Sequence, residues 1–177
     1  VTDTTDGGPG VAHDARPVAY VLVGLPGSGK STWAAAHPEG LAVASTDEYI
    51  EAYAAQHGLS YAEAFRQYHP QAKLLLKQRL NELIAARRPF IWDQTNITAR
   101  KRRAVYNKLH ATHRVVFVCF CVPVEVCIER AQRRPRQAGE VINPALIRLW
   151  SSMLTFPEPG EPCDGIIPVI HPDFRRR

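Results

Sequence analysis

Gly24, Leu25, Pro26, Gly27, Ser28, Gly29, Lys30 and Ser31, followed by Thr32, make a glycine-rich loop that closes on Lys-Ser. Its spacing has a mechanical reason. Glycines let the backbone wrap so that successive N–H groups point at phosphate oxygens, and a helix opening just after the loop adds positive potential. Lys30 then reaches the outer phosphates, and the Ser31 hydroxyl is a magnesium ligand. Such a loop handles a nucleoside triphosphate, so ATP and Mg2+ are the expected cofactors. The bland alternative is a glycine turn before a helix, and the apolar strand directly ahead of Gly24 weighs against it.

Carboxylates and polar groups follow at suggestive places. Phe90-Ile91-Trp92-Asp93 is a short apolar run ending in an acid, so Asp93 either joins Ser31 at magnesium or closes a turn. Gln94, Thr95 and Asn96 come next, and they either position a substrate or cap the following helix. Asp47 and Glu48 end another strand on the side where a terminal phosphate would lie. There a carboxylate accepts a hydroxyl proton as that oxygen attacks phosphorus, or Asp47 simply caps a helix.

Cations come in two groups. Arg130, Arg133, Arg134 and Arg136 crowd one helix end and the irregular stretch after it, where a mobile arginine lid would offset charge on a transferring phosphoryl group. Glu129 and Arg133 are also spaced for an ordinary helix surface pair. Arg100, Lys101, Arg102 and Arg103 sit near a helix start, opposing the macrodipole. They read as a solvated face or as a contact to nucleic-acid phosphate.

The elements that must hold these groups are legible as alternating patterns. Apolar runs at 18–25, 41–44, 89–93, 114–122 and 165–170 predict five strands. Between them lie helical patterns, including 61–88 with Ala72, Leu76, Leu80, Leu83 and Ile84 on one stripe and a break near Pro70. Thr98 is a plausible N-cap. The pattern predicts an α/β fold, a largely parallel five-stranded sheet flanked by helices, with ligands beyond the carboxyl ends of the strands.

At 177 residues, 45% hydrophobic and 22% charged, the chain has the composition of one globular domain. Residues 1–16 read as a disordered leader, 17–172 as the domain and 173–177 as a basic tail. Twenty-two Lys and Arg against seventeen Asp and Glu give +5, part of it from Arg175, Arg176 and Arg177. That balance permits a polyanionic partner without requiring one. No apolar run is long enough to span a bilayer and no signal-peptide pattern is visible, so no membrane association is expected and a cytoplasmic or nuclear setting is. Cys119, Cys121, Cys127 and Cys163 match no zinc or disulfide spacing and read as core thiols. Oligomeric state is not written in the pattern.

Taken in order, these motifs resemble the 5′-hydroxyl polynucleotide kinase family, the kinase module of polynucleotide kinase/phosphatase enzymes. The residues that carry the likeness are Gly24 to Trp33, Ser45-Thr46-Asp47-Glu48-Tyr49, Asp93-Gln94-Thr95-Asn96 with Arg100 to Arg103, Val122-Pro123-Val124-Glu125, and the arginine cluster. The resemblance implies a P-loop kinase fold and transfer of the γ phosphate of ATP to a 5′-hydroxyl nucleic-acid end. It implies Asp47 as general base, Lys30 and Ser31 on nucleotide and metal, Arg133 or Arg134 as phosphate clamp, and Asp93 or Gln94 near magnesium. Arg100 and Arg103 join the substrate side. Where the phage enzyme has an acceptor-holding arginine, this chain has Ile50. Trp92 to Asn96 and Met153 to Glu158 are also similar to the nucleotide-binding domain of heterogeneous nuclear ribonucleoprotein U, an RNA-associated protein. A kinase for a small hydroxyl compound and a nucleotide-dependent RNA-binding module are the rival expectations.

Overall fold

The computed structural model describes residues 14–37, 40–133 and 142–174. The alternating pattern resolves into β1 (Val18–Val23), α1 (Lys30–Ala35), β2 (Ala42–Ser45), α2 (Thr46–His57), α3 (Tyr61–Ala85), β3 (Phe90–Asp93) and α4 (Ala99–Leu109). Then come β4 (Arg114–Cys121), α5 (Val124–Arg133), α6 (Pro144–Met153) and β5 (Gly165–Ile170). The strands form one sheet in the order β2-β3-β1-β4-β5, and every neighbouring pair is parallel.

A parallel sheet buries both faces, so successive strand side chains feed two cores. Ala19, Val21 and Val23 pack with Phe117 against Leu76, Leu80 and Leu83 of α3 and Val105 and Leu109 of α4. Leu22, Val118 and Phe120 face the other way, onto Ile128 and Ala131 of α5 and Ile147 of α6. Cys119 and Cys127 are buried thiols outside any disulfide. Burial pushes their thiols up to about 12 and about 11. Both are expected to resist a thiol reagent in the native chain and to react on unfolding in urea; rapid native labelling of either would contradict this packing.

The expected break at Pro70 does not occur, and α3 runs through it as one helix of 25 residues. Proline removes a single donor, the one that would have met the Arg66 carbonyl. Pro70 and Arg66 are both exposed, so the lost hydrogen bond falls on the solvent side of the helix, which continues. Its start is fixed by a reciprocal capping box between Ser60 and Glu63. Thr98 caps α4 as expected, its hydroxyl accepting from the Lys101 N–H.

Arg16, assigned to the leader by composition, is tied to the domain. Its guanidinium donates to the carbonyls of His110 and His113 and pairs with Asp164 at 3.0 Å. Beside it His113 is fully buried, with Nε2 3.0 Å from the Arg88 carbonyl and Nδ1 2.9 Å from the Thr112 hydroxyl. Burial holds its imidazole below the ordinary 6.5, against the opposing pull of the Arg88 carbonyl. The unfolded chain therefore takes up this proton first as pH falls below 6.5, and stability declines from there down through the lowered native value. Urea midpoints measured against pH are expected to show this acid loss in the wild type and a flatter profile in His113→Gln.

Among the described residues no helix is long and apolar enough to cross a membrane.

Candidate active site

β1 runs directly into the glycine-rich loop, and the strand order brings β3 alongside it. The Gly24 N–H donates to the Thr95 carbonyl at 3.0 Å, fastening the loop to the segment after β3. Gly27 and Gly29 have φ of +81° and +96°, backbone that only glycine takes without strain. A Cβ on Gly27 would lie 2.1 Å from the Cys127 carbonyl oxygen of α5. Gly27→Ala is therefore expected to weaken ATP binding by tenfold or more and to cost about 1–3 kcal/mol in stability, read by nucleotide titration and urea unfolding.

Lys30 curls back over the loop, its Nζ donating to the carbonyls of Gly24 and Leu25 at 3.1 and 2.9 Å. The Ser31 hydroxyl donates to Asp93 Oδ2 at 3.1 Å. These two oxygens, from residues far apart in sequence, stand together because β3 lies beside β1. A hydroxyl and a carboxylate suit a hard cation such as Mg2+, which takes one or two protein oxygens and completes its shell with water and substrate phosphate. The Ser28 hydroxyl is buried in the loop and has no hydrogen-bond partner among the described residues. The positive-φ glycines, the Lys30 ammonium and this oxygen pair thus fit a magnesium-bound triphosphate.

β2 pairs with β3 in a register that sets Ser45 opposite Asp93, so Asp47, two residues on, belongs to the same carboxyl edge. Asp47 is not the helix cap. Ser45 takes that place, accepting the Asp47 N–H at 3.2 Å, and leaves the Asp47 carboxylate exposed. The Tyr61 hydroxyl donates to Asp47 Oδ1 at 2.8 Å. Ile50 is fully buried and packs with Ala54 of α2 and Ala64 and Ala72 of α3. An arginine there would have its head under α3, which explains the apolar residue.

The polar run after β3 divides its work. Gln94 Nε2 donates to Thr46 Oγ1 at 2.9 Å and links the ends of β3 and β2. Asn96, with φ of +42°, is 4% exposed and donates to the Leu22 carbonyl at 2.9 Å, so its amide holds the loop to β1. Gln94 and Thr95 also border a cleft of about 280 Å³ between α3 and α4, whose walls include Thr46, Lys73, Leu76, Trp92 and Lys101.

The basic groups separate similarly. Arg130 is exposed on α5, one turn beyond the Cys127 carbonyl that meets the loop. Arg133 is exposed and pairs with Glu129 at 2.6 Å, the surface arrangement its spacing allowed. Arg134 and Arg136 lie outside the described residues. On α4, Arg100 and Arg103 are exposed, whereas Arg102 is fully buried. That corrects the reading of 100–103 as one solvated or phosphate-facing run. Arg102 instead donates to both carboxylate oxygens of Glu161 at 2.6 and 2.8 Å and to the Thr155 carbonyl at 2.6 Å.

Sequence reasoning missed Tyr61 and Lys73. Both lie on a long helix whose apolar stripe drew attention to its other face.

A wholly parallel sheet with a phosphate loop after β1 and a Ser31–Asp93 pair across to β3 is the P-loop kinase fold. The chain belongs to the AAA domain family, whose model matches residues 20–154. Among solved structures, a protein from Chloroflexus aurantiacus assigned as a kinase is similar, with a TM-score of 0.66 and 21% identity over 88% of this chain and 85% of that one. The Pnkp1/Rnl/Hen1 RNA repair complex contains a similar chain, with a TM-score of 0.64 and 22% identity over 83% of this chain. The match spans only 47% of that chain. A gluconokinase from Sinorhizobium meliloti 1021 gives 0.54 and 21% over 89% and 85%. No curated protein matches the sequence at a significant level.

Proposed function

We propose that this protein is an ATP- and magnesium-dependent kinase that transfers the γ phosphate to the 5′-hydroxyl of a DNA or RNA end. The observation that carries the phosphotransferase part is the carboxyl edge itself: Ser31 and Asp93 hydrogen-bonded at 3.1 Å, and an exposed Asp47 on the neighbouring strand end. The order of motifs along the chain favours the nucleic-acid acceptor, and the likeness to a chain of the Pnkp1/Rnl/Hen1 RNA repair complex agrees with it.

In this reading the loop amides and Lys30 hold the phosphates, and Lys30 gives up its carbonyl contacts to do so. Ser31 and Asp93 hold magnesium, which when bound neutralises charge on the phosphoryl oxygens. Asp47 accepts the acceptor hydroxyl proton as the new O–P bond forms; the bond to the β-phosphate oxygen breaks and ADP leaves. Arg130, with Arg133 and Arg134 nearby in sequence, offsets developing charge. Gln94, Thr95 and Asn96 shape the acceptor side, with Arg100 and Arg103 exposed on α4 beyond them.

The cleft of about 280 Å³ favours a second reading, a small hydroxyl compound as acceptor. The test is transfer of labelled γ-phosphate from ATP with magnesium to a short 5′-hydroxyl single strand, beside gluconate and nucleosides. Label on the strand, lost in Lys30→Ala, is the expected result. Label on a small compound alone would replace the acceptor, and ATP binding without any transfer would leave a nucleotide-dependent binding protein.

A further inference from the structure

Helix α3 carries a ridge that the proposed machinery does not use. Tyr61, Phe65, His69 and Lys73 follow one another four residues apart, the spacing that brings side chains into contact along a helix. The contacts are made. Tyr61 and Phe65 have ring centroids 6.1 Å apart, and Phe65 and His69 are stacked at 4.2 Å with an interplanar angle of 18°. Phe65 is 39% exposed.

The ridge has a direction set by its two ends. At one end the Tyr61 hydroxyl binds Asp47. At the other, Lys73 stands at the cleft between α3 and α4, which Lys101 borders from the opposite helix. Both lysines are exposed, and among the described residues neither forms a salt bridge. His69 stands one turn from Lys73 on the same helix. Its burial and then Lys73 hold its imidazole below 6.5, while Asp47 pulls the other way.

A stacked ring pair with Phe65 exposed, followed by ammonium groups that form no salt bridge among the described residues, supplies the two components by which proteins hold single strands: base faces on aromatic side chains, phosphates on cations. We infer that the Tyr61-Phe65-His69-Lys73 ridge of α3 is a binding platform for a single-stranded nucleic-acid end, a base stacking on Phe65 and His69 and a phosphate resting on Lys73 and Lys101. The inference rests on the proposed acceptor class and adds the surface that receives it. It also explains why Phe65 is left exposed.

The probe is a short single-stranded oligonucleotide with a free 5′-hydroxyl and a 3′ fluorophore, its binding to the full chain followed by anisotropy across a salt series. Phe65→Ala is expected to weaken binding by about five- to a hundredfold with the salt slope kept, and Phe65→Trp to restore it. Lys73→Ala should lower the log-log salt slope by about 0.7. Circular dichroism and urea unfolding exclude a folding defect, which the exposure of both side chains argues against. Wild-type affinity and slope in both variants would overturn the platform, as would failure of the wild type to bind the strand. Label transfer to a strand that both variants bind normally would sink the platform and keep the kinase. Strand binding that depends on Phe65 and Lys73, with no transfer, would keep the platform and sink the kinase.

Discussion

Asp47→Asn is expected to slow phosphoryl transfer by about 10²- to 10⁴-fold while ATP binding stays near wild type, the range a positioned general base contributes. The reason lies in where the residue stands. Asp47 is on the first turn of α2, and the nucleotide-holding loop belongs to β1 and α1. Asparagine matches aspartate in shape and still accepts the 2.8 Å hydrogen bond from Tyr61, and the Ser45 cap on the Asp47 backbone is untouched. The carboxylate's charge is lost and with it the capacity to take a proton. Single-turnover transfer, with ATP affinity measured separately, reads the two effects apart. Turnover close to wild type would remove Asp47 from the role of base, and equal losses in affinity and turnover would mean that the substitution disturbs the loop.

Arg102→Leu is expected to destabilise the fold by about 3–5 kcal/mol, the cost of removing one member of a buried ion pair. Arg102 has no exposed surface and the Glu161 side chain is 8% exposed. The substitution strands the Glu161 carboxylate and the Thr155 carbonyl without donors. Replacing both residues with apolar groups, Arg102→Leu with Glu161→Leu, should recover most of the loss, because no charge is then left inside. Urea unfolding of the two single variants and the double variant makes the cycle. A single-variant loss below about 1 kcal/mol would mean that water reaches the pair after all.

The strands were the most legible part of the fold, because in a parallel sheet each is a short apolar run and the helices between them carry a distinct period. The loop from Gly24 to Ser31 was equally plain, since Gly27 and Gly29 take a backbone conformation that favours glycine. What the sequence hid were facts about neighbours. Arg102 sits in the middle of a basic run, and nothing local says that Glu161, far along the chain, turns it inward. Asn96 reads as one more polar group after Asp93, whereas its burial depends on the carbonyl of Leu22 across the sheet. Pro70 reads as a breaker from its missing donor alone, whereas whether that loss is tolerated depends on its exposure on α3, which no local pattern shows. The α3 ridge escaped notice for a related reason: its apolar stripe accounted for the helix, and the meaning of Tyr61 comes only from Asp47 opposite.

The tie between Arg102 and Glu161 spans 59 positions, and the Val115 N–H likewise waits for the Asp164 carboxylate at 2.7 Å. During synthesis, then, the phosphate loop, β3 and α4 all leave the ribosome before the partners that close them exist. A nascent chain stalled short of Glu161 holds an unmatched guanidinium at the base of α4 and an open edge along β4. Such an intermediate is the kind that invites chaperones and misassembly. The segment around Glu161 and Asp164, which lies outside the proposed machinery, decides when α4 and β4 find their partners.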